Sequence, residues 1–389
     1  MRFRTRARLA VASLLTVAVA IAIPGSVQSA SADAGSGGRG GELTVMTQNL
    51  YLGSSLDPAL VPDQTPEDFV RAVAQIYGTA VFTNFPKRAE AIADTIDAQE
   101  PDLIGLQEVT RWIAQPLVAG ANPPSYDFLA ILQAALQKRG LDYSVAAVSE
   151  NADIGPAPLV APGFGCDAFT DPTKPNCVVK LQDRDVILVN DDTAGLVVKD
   201  SQSGDYATQQ TFPVPSLPGT PPAPPVSFAR GWAYIDATYN ATKFRFVTTH
   251  LEVEGFPTVQ EAQAREFLAG PAKTGGAVIA TGDFNSDAEP APTDTNTTTY
   301  TDLTKSWFKD AWAVNGGANG DTCCQNSTLT NPVSQLKTRI DLILTHGPVR
   351  TQSAEVVNDE LISNTPPLWA SDHAGVVATL SLPGSSGAN

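Results

Sequence analysis

Apolar runs of strand length recur along this chain, and each carries acids, amides or imidazoles at one end. "LTVMTQN" stops at Asn49, "DLIGLQE" at Glu108, "FRFVTTH" at His250, and "AVIATGDFN" breaks at Gly282 to present Asp283 and Asn285. "RIDLIL" holds Asp341 near its start, and Asp372 and His373 directly precede "AGVVATL". Runs that are apolar on both faces must be covered on both sides, which is the situation of strands inside a layered α/β domain.

The segments between the runs supply the cover. "FPKRAEAIADTIDAQE" places Ala89, Ile92, Ala93 and Ile96 on one helical face. "YDFLAILQAALQKRG" is an amphipathic helix stopped by Gly140, with Lys138 and Arg139 in its last turn. "TVQEAQAREFLAG" is a further helix, and "GWAYIDATYNATKFRFVTTHLE" a hairpin turning near Tyr239 to Thr242. Between Ser149 and Phe228 only "DVILV" reads as a strand, amid much proline, and "FPVPSLPGTPPAPPVSF" reads as an extended surface loop. Strands and helices in this mixed order predict an α/β sandwich whose helices cover stacked sheets.

Composition is needed only at the ends and for the overall charge. Four arginines, an apolar run from Leu9 to Ile23 and an Ala30-Ser31-Ala32 cleavage pattern make residues 1–32 a signal peptide rather than an anchor, and the protein is expected to be secreted. Residues 33–41 form a Gly-rich flexible entry, 42–382 one domain with Pro-rich insertions around 150–228, and 383–389 a tail. Removing the leader's four arginines leaves 21 basic residues against 41 acidic, a net charge of −20. Nonspecific nucleic-acid affinity comes from lysine and arginine at phosphates, so a chain this acidic is poorly suited to act as a pure nucleic-acid binder. An enzyme that recruits divalent cations is not disfavoured, because a bound metal inverts the field that a phosphate meets.

Four cysteines in an exported chain point to disulfides. Cys166 and Cys177 bracket one loop and are expected to pair; for the adjacent Cys323 and Cys324, distant partners, a vicinal bridge and free thiols all remain open.

If the polar ends converge, four carboxylates (Glu108, Asp283, Asp341, Asp372), two amides (Asn49, Asn285) and two of the chain's three histidines (His250, His373) share one cleft. Such a set can bind a hard divalent cation, activate water and stabilise a phosphoryl transition state. Each has a duller explanation. Asp283 and Asn285 are common turn formers, Glu108 could be a solvated strand end, and Asn49 could close a turn. Asp341 fits the dull reading least, since a buried carboxylate without a partner is expensive, and His373 could be that partner. His346 matches no motif and reads as a surface turn, while Arg230, Arg184 and Asp185 could approach a substrate.

Taken in order, "TQNLYLG", "DLIGLQEV", "TTHLE", "ATGDFNSD", "RIDLIL" and "SDHAGV" resemble the endonuclease/exonuclease/phosphatase family, the DNase I-like superfamily. The resemblance covers nearly all of the chain after the leader. It implies a four-layer α/β/β/α sandwich and hydrolysis of phosphate esters with Mg²⁺, or Mn²⁺ or Ca²⁺. It implies Glu108 as main metal ligand with Asn49 beside it and Asp372 in the metal or water network. Asp283 and Asn285 would orient water and phosphate, His250 would bond a nonbridging oxygen, and Asp341 would orient His373. Either His373 or Asp283 would take the proton from water, with His373 the choice made here. The expected function is a secreted phosphodiesterase attacking with water directly, on nucleic acid or phospholipid. The alternatives are a small-molecule phosphomonoesterase and a noncatalytic binding module on the same fold.

Overall fold

A computed structural model describes residues 41–167, 175–214, 225–290 and 297–383. The expected signal peptide, nearly all of the expected entry segment, all of the tail but Pro383 and the middle of the Pro-rich loop lie outside the described residues.

Two sheets stack face to face. In spatial order, the first runs Arg350–Val357, Gly375–Ser381, Glu42–Asn49, Leu103–Gln107, Cys177–Asn190, Arg111–Pro116 and Tyr126–Asp127, with Tyr143–Pro158 also paired to Cys177–Asn190. The second runs Lys309–Asp310, Asp341–His346, Ala277–Asp283, Thr242–His250, Gly231–Tyr239 and Leu196–Asp205. Their facing sides bury Val45, Leu103, Ile187, Ile235, Phe246, Ile279 and Ile343 in one cluster. Helices Pro66–Phe82, Phe85–Gln99 and Phe128–Lys138 cover the outer side of the first sheet through residues such as Ile76, Ile92 and Leu132. Pro257–Ala269 and Thr299–Ser306 cover the second through Phe267 and Leu303. This is the expected α/β/β/α order.

The topology explains why polar residues follow some runs and precede others. Glu42–Asn49 pairs parallel with Leu103–Gln107, and Thr242–His250 parallel with Ala277–Asp283, each pair joined by helical crossovers. Their C-terminal ends, at Asn49, Glu108, His250 and Asp283, therefore reach the same edge, where open α/β sheets bind ligands. Asp341–His346 and Gly375–Ser381 run antiparallel to these strands, so they begin at that edge. Register places His250 opposite Asp283 and Asp283 opposite Asp341. The sheets close tightly just behind: a Cβ on Gly105 would sit 2.2 Å from Thr281 Oγ1 and 2.8 Å from Thr248 Oγ1. There Gln107 Nε2 donates to Thr248 Oγ1 at 2.8 Å, linking the sheets beneath the site.

The middle of the chain departs from expectation. Beyond "DVILV", which lies within Cys177–Asn190, long strands run over Tyr143–Pro158 and Leu196–Asp205, and Thr211–Phe212 pairs with Val226–Ser227. Tyr143–Pro158 tolerates Gly155 and Pro156 because its pairing shifts register at three places, which absorbs residues that break a regular ladder. Cys166 and Cys177 form the expected disulfide. Cys323 and Cys324 pair with each other, choosing among the open alternatives.

Candidate active site

Glu108 and Tyr51 adopt positive φ of 54° and 61° as they leave adjacent strands, and Asn285 does so at 49°. These turns bend side chains off the sheet edge into a cleft, and such conformations in non-glycine residues concentrate at functional sites. Glu108, His250, Asp283, Asn285, Asp372 and His373 all line it. Asn49 and Asp341 lie immediately behind, fully or almost fully buried.

Those two hold the lining residues. Asn49 Nδ2 donates to Asp283 Oδ2 at 3.1 Å while its Oδ1 accepts the Tyr51 N–H at 2.8 Å. His373 Nδ1 donates to Asp341 Oδ2 at 2.8 Å, which resolves the buried Asp341 and leaves His373 Nε2 on the cleft side, 3.8 Å from Asp283 and 3.9 Å from Asp372. Ser371 Oγ donates to the Asn49 carbonyl and accepts the His373 N–H, tying the two motifs together. Arg88, wholly buried, donates to the carbonyls of Leu50, Tyr51 and Ala370 and so clamps both turns from below.

Asp283 and Asn285 combine the dull and the functional readings. The strand ends at Asp283, and Asp283 Oδ1 accepts the Asn285 N–H at 2.9 Å, as a turn-forming aspartate does. Phe284 points back into the outer core. The turn then brings Asn285 Nδ2 to 3.1 Å from His250 Nε2, and Asp283 Oδ2 lies 3.4 Å from the same nitrogen.

Arg230 completes the group, its Nη1 within 3.0 Å of the His250 ring nitrogens and its Nη2 3.8 Å from Glu252. Arg184 does not approach the cleft: strand alternation turns it away to Asp127 Oδ1 at 2.6 Å and the Val109 carbonyl at 2.8 Å. Its neighbours Asp183 and Asp185 face the site, with Asp183 in the lining and Asp185 near His250. Asp185 thus meets the expectation that it approaches the site, whereas Asp183 and Glu252 carry no expectation from the sequence. The spacing of two in "DRD" and in "HLE" is the signal that would have found them, since alternate strand residues share a face. His346 is no surface turn: its ring stacks on Trp307 with centroids 3.8 Å apart, and Nδ1 contacts the Trp307 carbonyl.

So many acids in one place leave excess negative charge. Burial, and secondarily Asp341, push Asp283 up to about 7, and burial also takes Asp372 to about 7 and Asp183 to about 6. Burial and Asp183 likewise raise Glu108, and burial and Asp183 raise Asp185, against the pull of the Asn151 amide. Burial pulls His373 down, yet Asp341, Asp372 and Asp283 together carry it well above its ordinary value. Burial, Arg230 and His373 hold His250 well below its own. Carboxylates strained toward protonation by one another are what a divalent cation relieves. Glu108 and Asp372, the two that keep surface open to the cleft, are oxygen donors suited to a hard ion. Tight groups of possible ligands also occur at Asp283, Asp341 and His373 and at Asp183, Asp185 and His250.

Comparison with known proteins agrees with this arrangement. No curated protein sequence matches the chain. Among solved structures, an endonuclease/exonuclease/phosphatase family protein from Bacteroides thetaiotaomicron superposes with a TM-score of 0.52 at 16% identity, covering 88% of this chain and 99% of that one. A family protein from Leptotrichia buccalis gives 0.51 at 17%, over 87% and 100%. The mannosyl-6-phosphatase Bt3783 of Bacteroides thetaiotaomicron gives 0.50 at 16%, over 87% and 100%. At these identities the likeness concerns the fold. The sequence profile of the endonuclease/exonuclease/phosphatase family matches residues 46–373, a span that includes every motif residue of the cleft, and the chain belongs to that family.

Proposed function

We propose that the protein is a secreted, Mg²⁺-dependent phosphodiesterase that cleaves a P–O bond by direct attack of water. The observation that carries this reading is the convergence of His250, Asp283, Asn285, His373 and Glu108 on one cleft, with Asn49 and Asp341 buried behind them as supports. Export rests on the basic, apolar and Ala30-Ser31-Ala32 regions of the leader.

Glu108 and Asp372 would hold the cation, with Asn49 Oδ1 beside them keeping one lone pair beyond its bond to Tyr51. The cation, when bound, supplies charge for the phosphoryl oxygens and an acidified water. The chain's own groups do the rest. Neutral His250 and the Arg230 guanidinium form one donor face for nonbridging oxygens, and Asn285 Nδ2, bonded to the Leu251 carbonyl and facing His250 Nε2, holds the imidazole in place. Asp283, rather than the His373 preferred from the motifs, faces the attacking water and accepts its proton, because the surrounding carboxylates keep His373 protonated; the Asn49 amide and the Asn285 N–H steady Asp283. His373 Nε2, oriented through Nδ1 by Asp341, stands across from it to bear on the leaving oxygen. Water's oxygen bonds to phosphorus, the P–O bond to the leaving alcohol breaks as His373 Nε2 gives its proton to that alcohol, and the proton taken up by Asp283 returns to His373, 3.8 Å away.

The test is hydrolysis of bis(p-nitrophenyl) phosphate by the chain lacking its leader, with an EDTA-treated sample, His250→Ala, and the monoester p-nitrophenyl phosphate run beside it. Mg²⁺-dependent diester cleavage that both controls abolish supports the reading. No turnover above the His250→Ala background with any of several divalent metals overturns it, and faster turnover of the monoester favours a phosphomonoesterase.

A further inference from the structure

Beside the catalytic cleft lies a second pocket with no charged side chain among its described lining residues. Leu56, Leu60, Leu181, Phe212 and Phe228 line both, so the two spaces lie side by side with these residues as their common wall. Beyond that wall the second pocket is floored by Phe69, Ile76, Trp112, Ile154, Ala157 and Val179. Trp112, its one side chain with a hydrogen-bonding group, already donates Nε1–H to the Leu52 carbonyl at 2.7 Å. Several members, including Leu56, Phe69, Ile154 and Ala157, are only partly buried although they pack on the first sheet's outer core. An edge-to-face aromatic set frames the junction: Phe212 lies 5.8 Å from Phe228 and 5.5 Å from Phe256, centroid to centroid.

The cleft itself is cation-poor. Arg230 is the one lysine or arginine among its described lining residues, in a chain of net charge −16. A polyanion needs several such contacts to bind, and this edge does not offer them. An apolar chamber sharing five side chains with a candidate phosphodiester-cleaving cleft fits a different substrate: one phosphodiester group with an apolar tail attached.

Building on the phosphodiesterase reading above, we propose that the enzyme acts on amphiphilic phosphodiesters, with the phosphate at His250, Asp283 and His373 and an alkyl or acyl chain seated between Leu60, Phe69, Ala157 and Phe212. The chain's burial supplies binding that the sparse cations do not. Each methylene taken up strengthens binding by up to about fourfold, from the free energy of burying a CH₂.

Two experiments test this separately from the activity. Calorimetry of the protein with octylphosphonic acid, whose P–C bond the reaction does not cleave, is compared with methylphosphonic acid, both far below micelle-forming concentrations. The octyl compound should bind at least about tenfold more tightly, from several buried methylenes, and Ala59→Trp and Ala157→Trp, which fill the pocket from a short 3-10 helix and from a strand, should each remove the difference. Kinetics on ethyl, butyl, octyl and dodecyl p-nitrophenyl phosphate should show KM falling with chain length in the native enzyme and level in both variants, with the ethyl ester turned over alike by all three. Equal binding of the two phosphonates, as when a segment of the chain itself fills the pocket, overturns the proposal whether or not the enzyme is active. So does chain-length dependence that survives both tryptophans. Failure to cleave the ethyl ester with octylphosphonate binding intact counts against the phosphodiesterase reading instead.

Discussion

Asp341→Asn isolates one charge. In the native protein Asp341 Oδ2 accepts the His373 Nδ1–H at 2.8 Å, and the Asp341 side chain is inaccessible to water. An asparagine oxygen can accept the same hydrogen bond, so the ring keeps its orientation while the negative charge behind it disappears. A unit charge at this range in a partly polar interior is worth about 4 kcal/mol at an effective dielectric constant near 20. Asp283 and Asp372 remain at 3.8 and 3.9 Å from Nε2 and replace part of that field, so we expect a loss of roughly 2–4 kcal/mol in transition-state stabilisation. That corresponds to a fall in kcat/KM of about 30- to 1,000-fold. Steady-state kinetics on a soluble p-nitrophenyl diester at saturating Mg²⁺ read it, with thermal melting as the control for folding. A variant that melts normally and loses less than about threefold would refute the idea that Asp341 acts electrostatically through His373.

Two further perturbations probe the scaffold. Arg88→Met leaves three buried carbonyls, those of Leu50, Tyr51 and Ala370, without their donor; the expected destabilisation is about 3–5 kcal/mol by urea unfolding, together with reduced activity, because both clamped turns carry cleft residues. Asp127 accepts from Arg184 and Arg111, and although burial alone would raise its pKa, those arginines hold it below the ordinary carboxylate value. A depressed folded-state pKa contributes stability that is present above the unfolded value, near 3.9, and lost as pH falls through the folded one. Asp127→Asn should therefore lower stability at neutral pH and flatten its decline on acidification, measured by urea unfolding between neutral and strongly acidic pH.

Much of this was legible in the sequence because buried strands on both faces leave continuous apolar runs, and the polar residues ending them had nowhere to go but the sheet edge. Glu108, His250 and Asp283 could be read that way. The helix face of Ala89, Ile92, Ala93 and Ile96 could too, and all four are fully buried. Tyr143–Pro158 was not legible, since a bulged strand with glycine and proline looks like a loop until its partner is known. Pro66–Phe82 went unread despite the Thr65 cap that accepts the Asp68 N–H, and so did Arg350–Val357, an edge strand with too few apolar residues to show. Arg88 could not be recognised as a clamp, because its partners are carbonyls distant in sequence. The supporting role of Asn49 was hidden for the same reason: its contact to Asp283 spans the two sheets.

The central claim is that the acids at this edge exist to hold a divalent cation on which hydrolysis depends. Calorimetric titration of the metal-free protein with Mn²⁺, repeated on Glu108→Gln, addresses it directly. The account predicts saturable binding in the native protein that Glu108→Gln weakens at least about tenfold in parallel with its loss of diester cleavage, as expected when a charged ligand is removed. Equal Mn²⁺ affinity in the two proteins, or cleavage that continues undiminished in EDTA, would contradict it.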